Sequence, residues 1–202
     1  EKVTKEVPFD NDAPALVRGR EVHKAMELRV GGGVPLPASL GWLEPYAQKL
    51  DALRPAFDKV EVERQLTFTS TLAQTSWFGK QAWFRCAADV LAVNTEHGFA
   101  AVFDYKTGKN YGDDGQGRIN ALAVFLAEPA VNTVQTTFVY VDQKFEEVTR
   151  TFQRAAIKEA LLPALETLSR IAESFNTETW PAKPGFGCKF CKVARCAHYK
   201  GA

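Results

Sequence analysis

No apolar run in this 202-residue chain approaches a membrane span. The longest, Ala121–Ala127, covers seven residues, against about 20 for a helix that crosses a bilayer. No signal-peptide pattern, internal repeat or low-complexity tract is visible, and a composition of 46% hydrophobic and 24% charged residues excludes disordered and collagen-like chains. Gly-x-Ser-x-Gly and His-Glu-x-x-His are both absent, which argues against a serine hydrolase and a helix-borne zinc protease. Lys106-Thr107-Gly108-Lys109 is no phosphate-binding loop, because Phe103 stands where the first glycine belongs. Nor is there an excess of charge. The net +1, from 25 Lys+Arg and 24 Asp+Glu, argues at first sight against a nucleic-acid partner, since such domains are often strongly basic.

That balance hides an asymmetry. Residues 183–202 carry Lys183, Lys189, Lys192, Arg195 and Lys200 without an acidic residue, a net +5, which leaves residues 1–182 at −4. Of the four cysteines, Cys188, Cys191 and Cys196 lie within nine residues. Clustering at this spacing reads as metal binding in a reducing compartment rather than as a disulfide framework. The length suits one domain over residues 1–180 with a basic, Cys-rich tail over 181–202 packed on it.

The periodicity predicts helices over 13–30 and 39–57, the first ended by Gly31-Gly32-Gly33. It then predicts an alternating strand over 60–68 and two strands over 83–94 and 99–106 around the turn Thr95-Glu96-His97-Gly98. A helix over 116–127, a hairpin of strands over 133–141 and 145–151, a long helix over 153–175 and a Pro/Gly linker over 181–185 follow. The fold class is α/β or α+β, a mixed sheet flanked by helices.

The chemistry concentrates in Phe103-Asp104-Tyr105-Lys106-Thr107-Gly108-Lys109 with Asp89 before it. Alternate side chains of a strand share a face, so Asp104 and Lys106 point one way and Tyr105 the other. A hairpin centred between Glu96 and His97 sets Asp89 directly opposite Asp104. Two carboxylates side by side in an apolar sheet repel, and a hard divalent cation such as Mg²⁺ or Mn²⁺ resolves that repulsion. An isolated Asp-x-Lys is more often an exposed ion pair, and other parts strengthen the case. His23 and Glu27 lie four apart on one helical face in Gly19-Arg20-Glu21-Val22-His23-Lys24-Ala25-Met26-Glu27, and His23 is a competent metal ligand. Glu63 sits in the strand before that of Asp89, and Gln116 opens the helix after Lys106.

In this order of parts the sequence resembles the PD-(D/E)XK nuclease superfamily, and within it the RecB-like branch that includes phage exonucleases and CRISPR adaptation nucleases. The resemblance runs from about residue 18 to residue 199. It implies a restriction-endonuclease-like core, with His23, Asp89, Asp104 and the Tyr105 carbonyl as ligands of a catalytic Mg²⁺ or Mn²⁺. Lys106 would orient the attacking water and offset transition-state charge, Glu63 would be a supporting acid, and Gln116 would match the glutamine of a Q-x-x-x-Y motif whose tyrosine position holds Asn120 here. The implied activity is hydrolysis of single- or double-stranded DNA, most often from linear ends, in the cytoplasm of a bacterial or phage-infected cell. Metal to lower the pKa of water and a cation near developing charge are what phosphodiester hydrolysis requires.

The three tail cysteines suit zinc or iron–sulfur. In the resembling branch they join a further cysteine, upstream of the histidine motif, on a 4Fe–4S cluster. This chain opens on Glu1 and has no cysteine before Cys86, so a ligand from a preceding segment, a Cys₃His zinc site with His198, and free thiols stay open. Cys86, mid-strand, reads as a small buried hydrophobe. Trp77, Phe78, Trp83 and Phe84 read first as core or rim packing and second as a surface on which unpaired bases stack. A non-catalytic nucleic-acid-binding module stabilised by a zinc or iron–sulfur site is the competing reading of the chain. The sequence sets no oligomeric state.

Overall fold

The computed structural model describes residues 13–110, 115–191, 193 and 196–199. Its centre is a mixed five-stranded sheet in the order β1-β2-β3-β4-β5, with β1 Lys59–Phe68, β2 Phe84–Asn94, β3 Phe99–Lys106, β4 Thr133–Tyr140 and β5 Glu146–Gln153. All neighbours pair antiparallel except β3 and β4. A parallel pair needs a crossover, and α3, Gly115–Ala127, supplies it. Helices α1, Pro14–Gly32, and α2, Glu44–Leu53, precede the sheet, and α4, Ile157–Thr177, follows it.

Two apolar clusters lie on opposite faces of the sheet. On one, Val22, Met26 and Val30 of α1 and Tyr46 and Leu50 of α2 pack on Val90, Ala101, Phe103 and Tyr105. On the other, Ala121, Val124 and Phe125 of α3 pack on Leu66, Phe68, Leu91 and Val102. Burial of such side chains supplies most of the drive to fold, at roughly 25 cal/mol per Å² of apolar surface.

The elements differ from the sequence expectation where proline and ladder pairing intervene. The helix expected over 39–57 is a short 3-10 turn, Ala38–Leu43, then α2, then another turn, Arg54–Ala56. Pro55 lacks the N–H a helix needs and its ring would strike the carbonyl four residues back. The last helix starts at Ile157 rather than 153 because β5 continues to the Thr133↔Gln153 pair. The β4–β5 connection turns through Lys144 and Phe145, both at positive φ. Gly33, at φ 68°, closes α1 by donating its N–H to the Arg29 carbonyl, as the glycine run predicted.

The strand expected to alternate evenly over 60–68 does not. Val60 and Val62 pack with the α1 cluster, whereas Leu66 and Phe68 belong to the α3 cluster. Even alternation would place all four on one face. The inversion occurs at Glu63, which adopts φ 51° in mid-strand. The β1–β2 ladder breaks at the same point: Val62↔Val90 is paired, Arg64↔Ala88 is paired, and Glu63 and Asp89 between them are not. Across the break, Cys86 and Ala88 face α3 while Val90 and Ala92 face α1.

Candidate active site

This irregularity builds the site. Glu63 of β1 and Asp89 of β2 leave the ladder together, and both turn toward His23 in the middle of α1. One ligand atom from each of His23, Glu63 and Asp89 lies within 4.8 Å of the others, and this is the only such group of His, Cys, Asp or Glu among the described residues. His23 is half-buried. Its Nδ1 lies 3.2 Å from Asp89 Oδ1 and its Nε2 2.8 Å from the Tyr105 carbonyl oxygen, so both ring nitrogens face acceptors. The hydrogen bond to Asp89 holds the imidazole pKa above its usual value, against the opposing cost of burial.

Asp89, 6% exposed, was expected directly opposite Asp104. The β2–β3 register is the expected one through Val90↔Phe103, and pairing then stops. In place of the next backbone contact, the Tyr105 N–H donates to Asp89 Oδ2 at 2.6 Å. Asp89 is therefore aimed toward α1, while Asp104 continues the alternation of Ala100 and Val102 toward α3. The two carboxylates are neighbours through the Tyr105 peptide rather than facing partners on one side of the sheet.

Asp104, 4% exposed, is held from the α3 side. Gln116 Nε2 donates to its Oδ1 at 2.7 Å, and Lys106 Nζ forms an ion pair with its Oδ2. Lys106 Nζ also donates to Gln116 Oε1 at 2.7 Å and lies 5.1 Å from the centre of the Phe138 ring. Asp104, Lys106 and Gln116 thus close a triangle. Burial first, and the Asp89 charge second, push the Asp104 carboxyl up to about 6, in spite of Lys106. Burial and the Asp89 charge also raise the Glu63 carboxyl, and burial raises the Tyr105 phenol, whose ring meets that of His23 edge-on. Three carboxylates thus crowd at one point of the sheet with one lysine and one imidazole. Two or three carboxylate oxygens, an imidazole and a backbone carbonyl are a donor set that fits Mg²⁺ or Mn²⁺.

The structure brings His23, Glu63, Asp89, Asp104, Tyr105, Lys106 and Gln116 together, though not in the expected grouping, while Glu27 pairs with Lys24. Glu63, expected as a supporting acid, stands in the tight trio; Asp104, expected as a ligand, stands beside it in the grip of Lys106 and Gln116. Asn120, at the expected tyrosine position, points away into the core: it is 2% exposed and accepts the Cys86 thiol at 3.1 Å. What the sequence reading missed is the Tyr105 N–H as the anchor of Asp89, for which no side-chain signal exists.

In the tail, Cys188, Cys191 and Cys196 are free and half-buried. Cys188 Sγ accepts the Gly185 N–H at 3.4 Å, and among the described residues the three sulfurs form no ligand group. Of the basic tail residues, Lys192, Arg195 and Lys200 lie outside the described residues. No described helix is long and apolar enough to cross a membrane.

No curated protein matches the chain. Among solved structures, the crystal structure of SSO0001 aligns at 16% identity over 98% of this chain and 91% of that one, with a TM-score of 0.39. The family model of the PD-(D/E)XK nuclease superfamily matches residues 2–196. With that match and the site above, the chain belongs to the PD-(D/E)XK nuclease superfamily.

Proposed function

We propose that this protein is a divalent-metal-dependent deoxyribonuclease of the RecB-like branch that degrades DNA, single- or double-stranded, from linear ends. Superfamily membership itself implies metal-dependent nuclease chemistry. The observation that carries the reading is the junction of two units at the Tyr105 backbone: the trio His23, Glu63 and Asp89, and the triangle Asp104, Lys106 and Gln116. RGREVHKAME and VFDYKTGK support the branch and the action on DNA ends.

His23, Glu63, Asp89, Asp104 and the Tyr105 carbonyl would hold Mg²⁺ or Mn²⁺. When bound, such an ion lowers the pKa of water and polarises a phosphoryl oxygen. The chain's own residues supply the rest. Asp89, locked by the Tyr105 N–H and His23, keeps its carboxylate in one orientation before substrate arrives. Gln116 and Asp104 hold the Lys106 ammonium at the end of β3. A fixed cation there stabilises the charge that develops on the phosphate oxygens, and no reorganisation is needed at the moment of reaction. Burial of the carboxylates keeps the local dielectric low and strengthens each of these interactions.

The nuclease domain is assigned to residues 1–180. The tail, 181–202, would be tethered to it by a 4Fe–4S cluster or a zinc ion on Cys188, Cys191 and Cys196, a structural rather than catalytic role. Anaerobic purification and elemental analysis distinguish iron with sulfide from zinc.

The activity is tested with end-labelled linear DNA, single- and double-stranded, in Mg²⁺ or Mn²⁺. Metal-dependent shortening from the ends is expected. Equal cleavage by Lys106→Ala, Asp104→Ala and the parent protein would overturn the assignment.

A further inference from the structure

The loop that joins β1 to β2 plays no part in the site described above, and its composition is unlike that of the rest of the body. From Arg64 to Ala88 the chain has three cations, Arg64, Lys80 and Arg85, and no acidic residue, although residues 1–182 as a whole are net acidic. The same stretch exposes large aromatic side chains. Phe78 is 89% exposed and Trp83 60%, and Trp77 is half-buried. Core or rim packing describes Phe84, which stacks on Phe68 with ring centres 5.7 Å apart, and the half-buried Trp77, and does not describe Phe78 and Trp83.

The loop is built to hold these rings out. Thr75 N–H donates to the Thr67 carbonyl, Trp83 N–H to the Phe68 carbonyl and Ala82 N–H to the Gly79 carbonyl, each at 2.9 Å. Arg85 Nε donates to the Trp77 carbonyl at 2.7 Å, and its guanidinium lies 6.0 Å from the centre of the Trp77 ring. Exposed aromatic rings in a fixed frame pay an unfavourable hydration cost that a ligand with its own ring faces would relieve.

The placement gives the direction. Phe84, Cys86 and Ala88 turn toward α3 and are covered, whereas Trp83, Arg85 and Ala87 turn to the opposite face and are exposed. Asp89 continues that second row. Trp83 therefore stands six residues from Asp89 along one row, roughly 20 Å at the rise of a strand, a row uncovered at Trp83, Arg85 and Ala87 that ends at the buried Asp89. Cationic and aromatic side chains together with the hydroxyl and amide groups of Thr69, Ser70, Gln74 and Gln81, in one stretch free of acid, are the composition that tracks a sugar–phosphate chain and stacks its bases. A duplex keeps its base faces stacked on one another and offers this strip only phosphates.

We infer that the β1–β2 loop and the exposed face beside it form a binding strip for single-stranded nucleic acid, on which Trp83 and Phe78 stack unpaired bases and Lys80 and Arg85 meet phosphates, leading the strand to Asp89. The inference deepens the proposed function and rests on it for the strand's destination, while binding itself is measurable without cleavage.

The test is fluorescence anisotropy of labelled (dT)12, and of a blunt 12-base-pair duplex, with the full chain in EDTA at low salt. Base–aromatic stacking is worth about 1–3 kcal/mol per base, so Trp83→Ala and Phe78→Ala are each expected to weaken (dT)12 binding about 5- to 150-fold, with the duplex much less affected. Trp83→Phe should recover most of the loss, and quenching of the parent's indole emission by (dT)12 should shrink in Trp83→Ala. Thermal melts of the variants control for folding, and both side chains are exposed enough for the fold to survive. Parental affinity in both alanine variants would overturn the inference, as would an equal loss on duplex. Loss of self-association in the variants without loss of (dT)12 binding would assign the strip to a second copy of the chain and overturn it too. Failure of cleavage with stacking intact would instead overturn the nuclease reading.

Discussion

The Tyr105 N–H donates to Asp89 Oδ2 at 2.6 Å, so a side chain takes the place of a strand partner at the point where β2 and β3 part. The carbonyl oxygen of the same residue lies 2.8 Å from His23 Nε2. The backbone of one residue, Tyr105, therefore holds the two side chains that reach it from different elements, and with them the candidate seat for a cation.

Lys106→Ala should lower the rate of DNA cleavage by about 100- to 1,000-fold, the usual effect of removing a fixed stabiliser of transition-state charge. Gln116→Ala, which leaves Lys106 and Asp104 in place but unclamped, should cost less, about 10- to 100-fold. Single-turnover rates on a linear substrate measure both. A Gln116 variant more impaired than the Lys106 variant would contradict the roles given to them.

The contribution of Asp104 and His23 to the stability of the cation-free protein should fall as pH rises through the acid-to-neutral range. Asp104 is raised from 3.8 to about 6 by burial and the Asp89 charge, and His23 is raised above 6.5 by Asp89. Both therefore bind protons more tightly folded than unfolded. Their contribution is present below the unfolded values and is lost as pH climbs to about 6 for Asp104 and past 6.5 for His23. A divalent cation needs the deprotonated forms, so its effect runs the other way. Thermal melts with and without Mn²⁺ should show a cation-induced rise in Tm that is small at pH 5.5 and large at pH 7.5. An equal rise at both would count against these ligands.

Glu63→Val should destabilise the protein by about 1–3 kcal/mol, although valine is the better strand former. The cause is the φ of 51° at this position, where a β-branched side chain is strained. Glu63→Gln keeps the shape and loses the charge; it should melt near the parent temperature without added cation and gain less from Mn²⁺. Chemical denaturation of both variants checks the pair of expectations.

Cys86 should resist alkylation at pH 8 while the fold persists. Burial pushes its thiol up to about 12, and it is enclosed beneath the sheet beside Asn120. Mass spectrometry after iodoacetamide, before and after unfolding, should report Cys86 labelled only in the second case. Labelling of native Cys86 at the rate of a free peptide thiol would show that this part of the core opens.

Much of the fold was legible in the sequence because it rests on local periodicity. The two hairpins, the crossover helix and the β2–β3 register all follow from alternation and from the turn at Glu96 and His97. The site residues were legible as a set for the same reason, since carboxylates and a lysine are conspicuous in an apolar strand. Their grouping was not. Glu63 carries no glycine or asparagine signal for a positive φ, so the face inversion that moves it into the trio leaves no mark in the pattern. Asp89 is turned by a backbone group 16 residues away, which side-chain reading does not see. In the aromatic loop packing was the first expectation because large rings are usually buried; Trp77 and Phe84 follow it and Phe78 and Trp83 stand out to solvent, in a stretch from 64 to 88 whose lack of acid is countable in the sequence.

The most direct measurement joins cation binding to cleavage on the same samples. Mn²⁺ titration followed by electron paramagnetic resonance, with parallel assay on end-labelled linear DNA, compares the parent with Asp89→Asn. Saturable Mn²⁺ binding and cleavage in the parent, both lost together in the variant, is the predicted result. Cleavage by the variant at the parental rate, or cleavage by a parent that binds no Mn²⁺, would contradict the account.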